Sequence, residues 1–339
     1  MAIHFEADRN LDVISMGRIS VDFVPDTYGS TTANHRYTKF LGGSPANTAV
    51  AMARQGIRVG YIGKVGRDIL GDYLVSYMAG KGIDISHIAR SGEAGAQTAL
   101  SVAELMAPNK KRSNLYRAEA ADLYLSMEEI EEEYIARAKV LLISGASLSC
   151  GPAREAVFLA MEYARRNGVV VAFDPDYRPQ SWKSRNETTL YYLLALQKTD
   201  LLIATREEMS LVERLLLPEN LDDECSAQFC FEQGASVVVI KHGEEGSYGF
   251  ERGGSKHCQG LFPSRVISVQ GAGDSYSGSL LARLIDGADL KTAMKYASAS
   301  AALTVSGRSY SEHMPDRKMT EEFVALCEAG KGELWEFWE

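Results

Sequence analysis

Short β-rich runs alternate with amphipathic helical stretches along most of this chain, an order that leaves few folds other than a layered α/β domain with a mainly parallel sheet. Asp12 to Met16 and Arg58 to Ile62 read as strands, as do Lys139 to Ser144, Val169 to Asp174, Asp200 to Ala204 and Ser236 to Lys241. Between them lie helical stretches such as Pro152 to Asn167, closing on Gly168, and Glu207 to Leu217. The carboxyl-terminal third turns helical over Gly273 to Asp286, Leu290 to Ser306 and Thr320 to Ala329. One region departs from the alternation. Gln97 to Met106 and Ser113 to Arg117 read as strands with no helix between them, and Tyr37 to Leu41 as a third isolated strand. Pattern alone allows these to be a small second sheet or extra edge strands of the main one. No long linker, low-complexity tract or internal repeat is present, so a single domain over residues 1–339 is expected.

Charge narrows the partners. The formal net charge of −9 makes nucleic acid and anionic membrane poor partners, because phosphate backbones repel an acidic chain. A phosphate ligand must then be held by local donors and cations. The longest apolar runs, such as Lys139 to Ile143 and Val169 to Phe173, are far too short to span a bilayer. Met1 to Asn10 is polar and lacks the apolar centre of a signal peptide. The cysteines, Cys150, Cys225, Cys230, Cys258 and Cys327, are odd in number and show no CxxC spacing. Reduced thiols in a cytoplasmic protein are expected, rather than a disulfide framework or a zinc site.

Two glycine-rich stretches carry chemistry. In Ser268 to Leu281 (SVQGAGDSYSGSLL) a strand-like run gives way to Gly-Ala-Gly-Asp at the head of a helix. Such a turn leaves backbone N–H groups unpaired at the positive end of the helix dipole, a ready anion site. Asp274 would stand beside that anion. There a carboxylate repels phosphate but can orient an attacking hydroxyl and accept its proton; the plainer alternative is an aspartate that caps the helix. In Phe40 to Gly63 (FLGGSPANTAVAMARQGIRVGYIG), Ser44 suits an N-cap, Pro45 the first helical turn and Gly56 the stop. Gly42 and Gly43 let a ligand approach the backbone, and Asn47 could point its amide at the same place. Alone, this stretch reads equally as a plain capped helix.

Together, in this order and at this distance, GGSPAN and GAGDSYSGSLL are specific. The sequence resembles the ribokinase-like (PfkB-type) carbohydrate kinases over essentially its whole length. The resemblance implies an α/β ribokinase-like fold, a central mainly parallel sheet flanked by helices, with a small β-sheet lid whose strands fall within about residues 18–41 and 96–118. It implies ATP and Mg2+ as cofactors, Asp274 as catalytic base, and Gly271, Ala272 and Gly273 as an anion hole. Gly17 and Asp22 match the place where an aspartate grips sugar hydroxyls, with Gly42, Gly43 and Asn47 completing that contact. Lys241, Gly243 and Gly246 in VVIKHGEEGSYGF match a strand and turn over the nucleotide. Glu208 matches the acidic end of an Asn-x-x-Glu motif that organises magnesium through water. Two departures stand out. Thr205 replaces the Asn of that motif, weakening its expected bond toward phosphate and magnesium. Ser268-Val269-Gln270 replaces the usual Asp-Thr, which puts a monovalent-cation site in doubt.

The substrate is suggested by VAFDPDYRPQSW, which resembles the branch of the family acting on keto-deoxy sugar acids. Arg178 lies just past a strand end, and Arg117 leads out of a proposed lid strand. Guanidinium forks pair bidentately with carboxylate, so two arginines converging on one site suit an acid sugar. Surface ion pairs are the alternative for both. Other acid-sugar kinases, then ribose and fructose kinases, follow as alternatives. A nicotinamide oxidoreductase would need GxGxxG after the first strand, where Gly17 is instead followed by Arg-Ile-Ser. A sugar-binding regulator without catalysis would be expected to lose the base or the anion hole, and both are intact. An exposed lid edge is a place for a second copy to pair, giving a homodimer.

Overall fold

The computed structural model of this chain describes residues 3–107, 110–307 and 311–335. The first two residues of the polar amino-terminal stretch, and both ends of the domain expected over 1–339, lie outside them. In chain order the elements are β1 Leu11–Met16, β2 Ser20–Pro25, β3 Tyr37–Gly42, α1 Ser44–Arg54, β4 Val59–Val65, α2 Ile69–Gly80, β5 Asp84–Arg90, β6 Ala99–Ala107 and β7 Lys110–Tyr116. They continue as α3 Glu132–Ile135, β8 Ala138–Ser144, α4 Ala153–Arg166, β9 Val170–Asp174, α5 Arg185–Leu196, β10 Leu201–Thr205, α6 Arg206–Glu213, α7 Asp223–Gln233 and β11 Val237–Lys241. The last are β12 Ser247–Glu251, β13 Lys256–Gln259, α8 Ala272–Ile285, α9 Leu290–Val305 and α10 Arg317–Glu328.

The main sheet has nine strands in the order β13-β12-β11-β10-β9-β8-β1-β4-β5. It is parallel from β11 to β5 and antiparallel at the β12 and β13 edge. Its central strands are buried on both faces, which is why they read as unbroken apolar runs. Successive side chains feed two different cores. Ile14, Met16, Leu141, Ile143, Val171 and Phe173 pack with α4 and α5. Val13, Val140, Leu142, Val170 and Ala172 pack on the opposite face with α1, α8 and α9.

The three strands expected outside the alternation join β2, which the pattern does not mark as a strand, in a separate four-stranded sheet, β3-β2-β6-β7. The alternative of extra edge strands is therefore ruled out. In its registers Asp22 lies beside Ser101, and Ser101 opposite Leu115. No helix of the described residues is long and apolar enough to cross a membrane. All the cysteines are free.

Candidate active site

The chain leaves β1 toward β4 on one side and returns to β8 on the other, so the strand order reverses between β1 and β8. Ligands of open α/β sheets bind at the carboxyl ends of the strands near such a reversal. Here those ends carry Gly17, Ser144, Asp174, Thr205 and Lys241. A cavity of about 400 Å³ opens above them. The main domain lines it with Arg18, Gly43, Ser44, Asn47, Tyr177, Arg178, Gln270, Gly271 and Asp274; the small sheet contributes Asp22, Ser101, Ser113 and Leu115.

At the head of α8, Gly271 adopts a left-handed conformation (φ 77°) as N-cap, without a side-chain cap. Gly271 O accepts the first helical bond, from Ser275 N at 2.8 Å. The N–H groups before it, on Ala272, Gly273 and Asp274, thus form an open cradle at the positive end of a long helix. A Cβ on Gly273 would stand 3.6 Å from Lys241 Nζ, so the ammonium lies over the same turn. An open N–H cradle beside an ammonium fits the phosphates of a nucleotide.

Asp274 does not cap the helix. Ser44 Oγ donates to its Oδ1 at 2.6 Å. Burial raises the carboxyl above its ordinary range; Ser44 opposes the rise, Asp176 adds to it, and Arg178 and Asn47 pull it down. The N-cap expected at Ser44 is instead Gly43 (φ 95°), where a Cβ would stand 2.3 Å from the carbonyl oxygen of Arg18. One residue of displacement frees the Ser44 hydroxyl to face Asp274. Asp22 accepts from Ser101 Oγ at 2.7 Å, and a Cβ on Gly42 would overlap that carboxylate. Asp22, Gly43, Asn47, Arg178, Gly271 and Asp274 thus share one cavity.

A carboxylate cluster lies beneath it. Asp174, at the end of β9, accepts from Ser277 Oγ at 3.0 Å and stands 3.7 Å from Lys241 Nζ. Burial pushes Asp174 up to about 7; Lys241 pulls it down, while Glu208, Asp176 and Asp274 add to the rise. Burial lowers the Lys241 ammonium, but Asp174, Glu208, Asp274 and Asp176 together hold it above its ordinary value. Sequence reasoning passed over Asp174 and Asp176, although two carboxylates separated by a single residue at the end of a buried strand are a signal.

Other expected residues take different positions. Thr205 and Glu208 form a capping box on α6: Thr205 N and Oγ1 donate to Glu208 Oε2 at 2.8 and 2.9 Å. Tyr177 N donates to Oε1 at 2.9 Å, so both carboxylate oxygens are engaged. The Thr-x-x-Glu spacing is the signature of that motif and could have been read from TREE. Gly243 and Gly246 bound the 3-10 turn joining β11 to β12. Among the described residues, no three His, Cys, Asp or Glu side chains converge as a metal cage. The donors present therefore suit a magnesium ion carried on phosphate oxygens and water, which Mg2+ tolerates well.

Arg117 does not line the cavity. It is 6% exposed, pairs with Asp122 at 2.7–2.8 Å and donates to Ala146 O at 3.0 Å. A nearby acid on a tight turn claims the guanidinium, which a strand-level reading of YRAEAADLYL does not anticipate. Arg18 lines the cavity instead. Arg178 does so too, in an ion pair with Asp176 at 2.5 Å.

Known proteins bear on this geometry. The pfkB family carbohydrate kinase model matches residues 10–317. A 5-dehydro-2-deoxygluconokinase of Geobacillus thermodenitrificans is 41% identical over 96% of this chain and 97% of its own. 5-dehydro-2-deoxygluconokinase 1 of Bacillus cereus is 42% identical over 96% of this chain and 98% of its own. Among solved structures, a putative ribokinase II of E. coli in complex with ATP and Mg2+ is similar in fold, with a TM-score of 0.84 at 24% identity over 93% of this chain and 99% of that one. With a family match spanning the cavity and both glycine-rich turns, this chain belongs to the pfkB family of carbohydrate kinases.

Proposed function

We propose that this chain is an ATP-dependent sugar-acid kinase that phosphorylates the primary hydroxyl of 5-dehydro-2-deoxy-D-gluconate to give the 6-phosphate, in the cytoplasm, as a step of inositol breakdown. One observation carries the reading: the Asp274 carboxylate, the open α8 turn, the Asp22 carboxylate and the guanidinium groups of Arg18 and Arg178 share one cavity. Relatives bearing the kinase's name at about 41% identity support the substrate.

Asp22, Asn47 and the backbone at Gly42 and Gly43 hold sugar hydroxyls, and Arg178 faces the acid end. Asp274 accepts the hydrogen bond of the attacking hydroxyl, orients it and takes its proton late in transfer. Its raised affinity for a proton makes it a better base than a solvated aspartate. Bound MgATP supplies the phosphoryl group and a cation that offsets charge on the phosphates. Ala272, Gly273 and Asp274 present N–H groups to the developing negative charge, with Lys241 above them. Glu208 stabilises α6 and acts on the metal region only through water. The outer edges of β3 and β7 are unpaired among the described residues, and a second copy pairing there would give a dimer.

The test is ADP release from MgATP across a panel of sugar acids and neutral sugars. The highest kcat/KM is expected with 5-dehydro-2-deoxygluconate. Preference for 2-keto-3-deoxygluconate would move the assignment to that acid. Preference for fructose or ribose would remove the acid-sugar reading, and binding without turnover on any sugar would leave a regulator.

A further inference from the structure

Three arginines lie in or beside the cavity, and their counter-ions differ. Arg117 is held by Asp122, and Arg178 by Asp176. Arg18 is 5% exposed and has no ion pair among the described residues. Its side chain makes one 3.3 Å bond, from a terminal nitrogen to Ser20 Oγ, and its Nε is buried without a partner. A guanidinium carries several donors in a fixed fork and stays charged near neutrality. Burying such a charge unpaired is strongly unfavourable. Burial lowers its pKa; Asp176 counters this, Arg117 and Arg178 reinforce it, and Asp22 counters it again.

The backbone under this residue is fixed. Tyr61 OH donates to the carbonyl oxygens of both Gly17 and Arg18 at 3.1 Å. Gly43 packs against the Arg18 carbonyl so closely that a Cβ there would stand 2.3 Å away. The side chain therefore enters the cavity from a rigid turn at the end of β1, the arrangement that makes a charged contact selective.

We propose that Arg18 is the carboxylate receptor of this site: the ligand's carboxylate supplies the counter-ion that the protein withholds, and Arg178 completes the clamp from the other side. This rests on the sugar-acid kinase reading and names the group that enforces it. Arg117, buried against Asp122 and outside the cavity lining, has no part.

The test compares wild type, Arg18→Gln and Arg117→Gln on the preferred sugar acid and on its analogue with the carboxylate replaced by hydroxymethyl. Arg18→Gln should lower the acid-to-neutral ratio of kcat/KM by ~10- to 100-fold, the worth of a charge-assisted contact, with the neutral analogue unchanged or improved. Arg117→Gln should lower both substrates together. Free of ligand, Arg18→Gln should melt no lower than wild type, since it removes a buried charge that has no direct ion-pair partner among the described residues. A wild type that favours the acid, together with an Arg18→Gln ratio unchanged from it, overturns this inference alone. A wild type without acid preference overturns the sugar-acid reading and the inference with it. Should Arg18→Gln not fold, a crystal structure of wild type with the sugar acid decides: the carboxylate within hydrogen-bond distance of Arg18 supports the proposal, and elsewhere refutes it.

Discussion

Ser44 Oγ and Asp274 Oδ1 are 2.6 Å apart, joining the first turns of α1 and α8 across 230 residues of sequence. The two helices can meet there because Gly278 in α8 lies against Ala51 of α1, where a Cβ would come within 2.5 Å of the alanine methyl. The hydroxyl donates to the charged form of Asp274 and so favours it, against a burial that favours the neutral acid.

Ser44→Ala should therefore raise the pKa of Asp274 further. A base works deprotonated, so the acidic limb of the kcat/KM–pH profile should move to higher pH. On that limb the rate should fall by roughly 10-fold, the value of a ~1.5 kcal/mol hydrogen bond to a charged group. A limb that stays in place would separate this hydroxyl from the titration.

Asp274→Asn keeps the shape and the bond from Ser44 while removing the base. Turnover should fall by ~100-fold or more with folding and nucleotide binding preserved. Near-normal kcat would end the assignment of Asp274.

Much of this was legible beforehand, for physical reasons. Strands buried on both faces announce themselves as apolar runs, and β1, β8, β9, β10 and β11 were each expected within about a residue of their ends. Strand β5 (DISHIAR) is an edge with half-exposed residues and carries no such run. The glycine turns were legible because a backbone that must approach a ligand excludes side chains. The partners of arginines were not. GRIS says nothing about where the Arg18 side chain goes, and Asp122 takes Arg117 through a fold of the chain that spacing does not encode.

Glu208 has two tasks to separate. Its carboxylate accepts from Thr205 and Tyr177 backbone N–H groups. Glu208→Gln offers one oxygen and one amide to donors that need two acceptors, and should cost about 1–2 kcal/mol in urea melts. If it also orders water around magnesium, the Mg2+ concentration for half-maximal rate should rise. A lower melting point with unchanged magnesium dependence would leave Glu208 a capping residue only.

Asp174 makes stability depend on pH in a direction opposite to a salt-bridged aspartate. Its folded pKa, near 7, lies above the ordinary aspartate value of 3.8, mainly through burial. The folded protein thus holds a proton that the unfolded chain gives up. The contribution is fully present below 3.8 and is lost as pH rises through 7. Asn keeps an oxygen for Ser277 Oγ and carries no charge at any pH. Urea melts of wild type and Asp174→Asn at pH 5 and pH 8 isolate this residue from the other buried acids, because those titrate in both proteins. Wild type should lose about 1–3 kcal/mol more than the variant between the two pH values. Lys241 favours the ionised form, so a gap near the lower figure means the ammonium screens much of the burial. Parallel losses in the two proteins would mean that Asp174 is ionised throughout the range, paired with Lys241 as an ordinary salt bridge.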